Sequence, residues 1–225
     1  MSIVYQDVLR RLKEERQRQH WSQTQISEYM RMSQSHYSKA ELGNRRFTFY
    51  EIQYLCESEV DVHYVFTGYK CLYRNNEFFE KRSYSELTCY INILFSLADY
   101  FYKNKEADKW DNIYRRTEYI KYIIAQCKSN ANILYTIRQI QDYTQYEMAN
   151  LLNIDVKKLR DMENTKILPD SELLWRIYSL FQIPPAVLLK DDKGLASEIC
   201  CLLEILNDNQ RDDILQLLKA CHDSI

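Results

Sequence analysis

The sequence predicts an all-α protein, and three observations carry that prediction. Only 3 glycines and 3 prolines occur in 225 residues, which leaves few tight turns. Leu, Ile, Tyr, Glu, Lys and Gln recur at helical spacing nearly throughout. An apolar share of 46% supplies cores for one large domain or two to three small ones.

The opening run MSIVYQDVLRRLKEER has no signal-peptide core, and nowhere does the chain approach the roughly 18 uninterrupted apolar residues of a membrane span. A cytoplasmic protein without membrane contact is expected. Ser22 is a good N-cap for a short helix, Gln23 to Met30, burying Ile26, Tyr29 and Met30. Arg31 to Ser33 break that helix. Ser33 caps a second one, Gln34 to Leu42, with Tyr37 and Ala40 on its inner face and Gly43 at its end. Two such helices across a three-residue break make a helix-turn-helix.

The pattern recurs at an offset of 122 residues, as from Ser22 to Thr144. SQTQISEYMRMSQSHYSKAE, from Ser22 to Glu41, aligns with TQYEMANLLNIDVKKLRDME, from Thr144 to Glu163. Trp21 matches Tyr143, Gln23 matches Gln145, Ile26 matches Met148, and Leu12 and Arg16 match Leu134 and Arg138. Small Ser27 and Ala149 sit where the two short helices must cross closely.

Both runs resemble the Cro and phage-repressor (XRE-like) family of helix-turn-helix transcriptional regulators, over roughly 60 residues each. The first extends from about Tyr5 to Gly68, ending in DVHYVFTG; the second runs from about Asn132 to Lys190, with Pro169 before its fourth helix and IPPAVLL at its fifth. The resemblance implies two five-helix repressor-like domains, residues 1–70 and 132–190. They would be joined by a helical connector, 71–131, an α-helical hairpin, and followed by a C-terminal helical hairpin, 191–225. The family's turn position, usually glycine, holds Arg31 and Asn153; asparagine adopts left-handed backbone readily, arginine at some cost.

By the same resemblance the second helix of the first motif lies in the major groove of double-stranded DNA, with Gln34, Ser35 and Lys39 facing bases and His36 and Ser38 beside them. Glutamine pairs bidentately with adenine and lysine reaches guanine. The alternative for these side chains is a solvated helix face. Gln23 and its repeat Gln145 would meet phosphate, and Asn44, Arg45 and Arg46 would clamp the backbone beyond the helix. The second motif presents Val156, Lys157, Lys158, Arg160 and Asp161. Its three cations suit phosphate and Val156 a thymine methyl, whereas Asp161 repels the backbone unless it accepts from cytosine. Arg16 with Glu41, and Arg138 with Glu163, are implied to be partly buried ion pairs.

In the connector, Leu87, Ile91, Leu94, Ala98 and Phe101 share one helical face, and Trp110, Ile113, Ile120, Ile124 and Cys127 another. A first helix of about 20 residues is roughly 30 Å long, near the ~34 Å between successive major-groove faces. It would space two reading heads or pack as core between them, and the one does not exclude the other. After Gly194, Ile199, Leu202, Leu203, Leu206, Ile214, Leu217 and Leu218 form an apolar stripe that would dimerise or fold back onto the second domain. The segment from 191 onward holds 3 basic and 8 acidic residues, so the acidic excess behind the net charge of -2 sits there. The 19 tyrosines fall at packing positions on amphipathic helices.

The seven cysteines, Cys56, Cys71, Cys89, Cys127, Cys200, Cys201 and Cys221, lack the spacing of a zinc or redox site and read as reduced packing residues. The four histidines, His20, His36, His63 and His222, have no ligand spacing. No metal, cofactor or catalytic constellation is expected. The functional expectation is a homodimeric DNA-binding transcriptional regulator or repressor. The alternative is a protein-interaction module or antitoxin that uses the same motifs to bind a protein.

Overall fold

A computed structural model describes residues 4–70, 77–102, 120, 121, 123, 125, 133–204 and 206–223. Among them every regular element is a helix. The first five are α1 (Tyr5–Arg18), α2 (Gln23–Tyr29), α3 (Gln34–Glu41), α4 (Phe49–Cys56) and α5 (Val62–Thr67). Then come α6 (Glu77–Glu80) and the long α7 (Tyr84–Tyr102). A second set of five follows: α8 (Ile133–Ile140), α9 (Gln145–Leu152), α10 (Val156–Glu163), α11 (Ser171–Phe181) and α12 (Pro185–Leu189). The chain ends in α13 (Asp192–Leu203) and α14 (Asp208–Asp223). None of these helices is long and apolar enough to cross a membrane.

Side-chain caps start the helices where polar residues precede apolar stripes. Ser22, Ser33 and Thr48 cap α2, α3 and α4; Thr144, Asp155 and Asp170 cap α9, α10 and α11, each at the 122-residue offset. Left-handed backbone recurs at the same offset: His20 with Asp142, Arg31 with Asn153, Gly43 with Thr165, and Gly68 with Lys190. The turn between α2 and α3 thus keeps the shape of that between α9 and α10, with φ of 53° at Arg31 and 52° at Asn153. Its chemistry is exchanged across the fold. Arg31 lies over the ring of Tyr54, 4.1 Å from its centroid, whereas Arg176, the repeat of Tyr54, donates to the carbonyls of Leu152 and Asn153.

Two apolar clusters hold the molecule together. One lies within the first five helices, around Leu12, Ile26, Tyr37, Phe47, Leu55 and Phe66, and takes in Leu174 of α11 and Leu189 of α12. The other joins α7, the second five helices and α13 to α14. Tyr29, expected inside, is half exposed and stacks on Trp21 at 4.5 Å, because it falls at the edge of the α2 stripe set by Ile26 and Met30.

The two five-helix units touch directly. α11 packs on α1 and α5, and α12 on α5, so the two units meet without α7 between them. Its Leu87, Ile91 and Leu94 are buried, as is Ile120, and α7 packs chiefly on α13. The side chains of Ala98 and Phe101, together with Trp110, Ile113, Ile124 and Cys127, lie outside the described residues. Of the C-terminal stripe, Ile199, Leu203, Leu206, Ile214 and Leu218 are buried within the chain, while Leu217 is exposed and Leu202 is not described. The stripe folds back on its own chain.

Cys56, Cys89, Cys200, Cys201 and Cys221 carry free thiols, and no metal-holding group of His, Cys, Asp and Glu occurs among the described residues. Cys71 lies outside them. His63 is buried on α5, its Nδ1 3.2 Å from Glu198 of α13.

Candidate nucleic-acid interface

The candidate surface is the outer face of α3, and its foundation is a buried ion pair. Arg16 of α1 donates through Nε to Glu41 at 2.9 Å and through Nη1 to the carbonyl of Trp21 at 2.8 Å. Burial raises the Glu41 carboxyl, but Arg16, the Gln23 amide and the Tyr37 hydroxyl outweigh it and leave its pKa lowered. Tyr37 donates to Glu41 at 3.0 Å, and its phenol is held far above the ordinary tyrosine range by burial and by that carboxylate.

Gln23 carries this network outward. It donates to Glu41 at 2.7 Å and accepts from the amide of Gln34 at 2.9 Å. The exposed tip of α3 is therefore tied through two amides to the core. Gln34, Ser35, His36 and Lys39 are exposed along this face, and Ser38 is half-buried beside them. Tyr37 and Ala40 anchor the opposite side.

Beyond α3, Asn44 is exposed, but the two arginines are engaged. Arg45 forms a two-pronged pair with Glu51 at 2.8 and 2.9 Å, and Glu51 also accepts from the backbone N–H of Thr48, the α4 cap. Arg46 pairs with Glu172 of α11, donates to the carbonyl of Gly43 at 3.0 Å, and lies 5.1 Å from the centre of the Tyr5 ring. As they stand, these side chains hold loop 43–48 in place rather than project freely from it.

The second unit repeats the foundation and changes the tip. Arg138 pairs with Glu163 at 2.5 Å and donates to Tyr143, and Gln145 donates to Glu163 at 2.7 Å. Arg160 donates to Gln145 at 3.4 Å, as Gln34 donates to Gln23, the repeat of Gln145, in the first unit. Lys157 is exposed, Lys158 lies 3.9 Å from Asp170, and Asp161 is neutralised by Lys166 at 3.5 Å. Val156 is partly buried against the core, so it is not a free methyl-reading group. Where the first unit has Arg45 and Arg46, the second has Ile167 and Leu168, 39% and 40% exposed.

Residues 12–57 match the family model described as Helix-turn-helix. The matched stretch runs from the middle of α1 past the end of α4 and contains the whole network from Arg16 to Gln34. Neither curated proteins nor solved structures gave a match to the chain. A helix-turn-helix match points to a DNA-binding regulator as the class of function.

Sequence reasoning placed α3 and its polar face, but it missed the partners of the flanking arginines. Glu51 stands three residues after Thr48, a capping-box spacing legible in the sequence. Glu172 and Tyr5 carry no local signal, because the packing of α11 on the first unit brings Glu172 to Arg46 and the packing of α1 within that unit brings Tyr5.

Proposed function

We propose that the chain is a sequence-specific, double-stranded-DNA-binding transcriptional regulator that reads the major groove with α3. The observation that carries this reading is the exposed row Gln34, Ser35, His36 and Lys39 on a helix locked to its neighbours through Gln23, Glu41 and Arg16. Glutamine at the start of such a helix and lysine in its last turn suit adenine and guanine edges, and Asn44 is placed for the backbone. Residues 1–70 act as the reading domain. Residues 132–190 form a second domain of the same kind, supported by the recurring caps, left-handed turns and ion pair, with Gln145, Lys157, Lys158 and Arg160 as its candidate phosphate contacts.

Selection of bound duplexes from a random pool, followed by competition against single-base variants, tests this. Gln34→Ala and Lys39→Ala relax base preference by about 1–3 kcal/mol at one position each, whereas Asn44→Ala weakens all sequences alike. Identical losses across sequences for Gln34→Ala would refute the assignment.

A second reading applies to residues 132–190 alone. Tyr146, Leu151, Ile167 and Leu168 are exposed there, and such groups suit a protein partner better than phosphate. In that reading the second unit is an interaction module, or the chain an antitoxin. A homodimer on a palindromic site remains part of the proposal for the first unit, since one short helix seldom supplies specific affinity alone.

A further inference from the structure

We infer that the start of α11 is a built-in competitor for DNA phosphate at the loop that follows the reading helix. This rests on the DNA-binding reading and concerns the regulation of the same surface. Of the two arginines in loop 43–48, Arg45 is fixed within its own unit by Glu51. Arg46 is the one that reaches across, and its partner is Glu172 of the second unit. The adjacent residue, Ser171, takes the neighbouring donor: its hydroxyl accepts from the backbone N–H of Phe47 at 3.1 Å, and its own N–H donates to the Phe47 carbonyl at 2.9 Å. A partly exposed guanidinium is a donor that phosphate oxygens take. Here a carboxylate occupies the guanidinium, while the buried Ser171–Phe47 bonds fix the start of α11 beside it.

The arrangement is built to exchange. The Arg46 side chain is 40% exposed, and an ion pair so placed is weakly held. Glu172 has a second cation, Arg176, at 2.8 Å, so it is not left unpaired when Arg46 departs. Arg46 keeps the Gly43 carbonyl and the Tyr5 ring on its own side, which hold it aimed from the first unit. At the repeat positions the second unit carries Ile167 and Leu168, so the device belongs to the first unit only. The Glu172 carboxylate thus lowers the affinity of the first unit for DNA, and anything that draws it off Arg46 while α11 stays packed raises it.

The test uses the full-length chain and a random-sequence duplex, titrated by fluorescence anisotropy over a range of salt. Glu172→Gln frees Arg46 while leaving the Asp170 cap of α11 untouched. The expected result is about two- to fivefold tighter binding, the range a surface pair commands. The slope of log affinity against log salt should also steepen by about 0.9, one added phosphate. In an Arg46→Gln background the same Glu172→Gln change should gain less. Equal gains in both backgrounds would make Glu172 a merely repelling charge and overturn the inference, as would unchanged binding by Glu172→Gln. Absence of binding by wild type and variant alike would instead overturn the DNA reading, and this inference with it.

Discussion

Gln34 donates its side-chain amide to Gln23 at 2.9 Å, and Gln23 donates onward to Glu41 at 2.7 Å, so an exposed polar group of α3 is oriented from the core. An oriented amide reads a base edge with less entropy lost on binding than a free one. Gln23→Ala should therefore relax base preference much as Gln34→Ala does, by about 1–3 kcal/mol, though Gln23 sits behind the reading face. The double variant should lose less than the sum of the singles. Additive losses in a double-mutant cycle on the selected site would show that the two amides act separately.

The Arg16–Glu41 pair is a stability element before it is a binding one. Its side chains are 11% and 5% exposed, so removing one partner strands a mostly buried charge. Arg16→Ala should cost about 3 kcal/mol in urea unfolding, and Arg138→Ala a similar amount. A loss well under 1 kcal/mol would mean that the carboxylate finds water when its arginine is gone.

Gly68 closes α5 in left-handed conformation at φ of 73°, and a Cβ built there would meet Nη1 of buried Arg11 at 2.9 Å. Arg11 has no slack to give, since it donates to the carbonyls of Val65 and Phe66. Gly68→Ala should therefore lower stability by about 1–3 kcal/mol. Lys190, its repeat, already carries a side chain at φ of 54°, so Lys190→Gly should cost nothing comparable. Thermal unfolding of both variants checks the contrast.

Burial beside α13 pushes the Asp191 carboxyl up to about 6, against the partial relief of the Gly194 N–H. With the folded pKa above the unfolded one, the native state holds a proton that the unfolded chain has released. The contribution is full below the unfolded value near 4 and is lost as pH rises through about 6. Asp191→Asn should therefore flatten the decline in stability across that window, gaining on wild type by about 2 kcal/mol at neutral pH. Parallel curves for the two proteins would contradict the assignment.

Local signals made much of this architecture legible. Ser22, Ser33 and Thr144 announce helix starts through their own side chains, and the 122-residue offset lines up caps and left-handed turns that do recur in three dimensions. Gly43 and Asn153 likewise carry their backbone preference in their identity. The pairing of Arg46 with Glu172, 126 residues away, has no such signature. Nor does the insertion of Leu174 and Leu189 into the first unit's core, since an apolar stripe states that it will be covered and not by what. The same limit explains α7, whose Leu87, Ile91 and Leu94 fit a spacer and a buried brace equally well by periodicity.

Binding of duplex DNA through charge and groove contacts around α3 must depend on salt. With roughly 4–8 phosphates neutralised, log affinity against log salt should fall with a slope of about -4 to -7. Measured on the selected duplex by anisotropy, such a slope is the result expected, with Asn44→Ala and Lys39→Ala separated by their base preference as above. A flat response to salt, or no binding to duplex DNA at any salt concentration, would contradict the account.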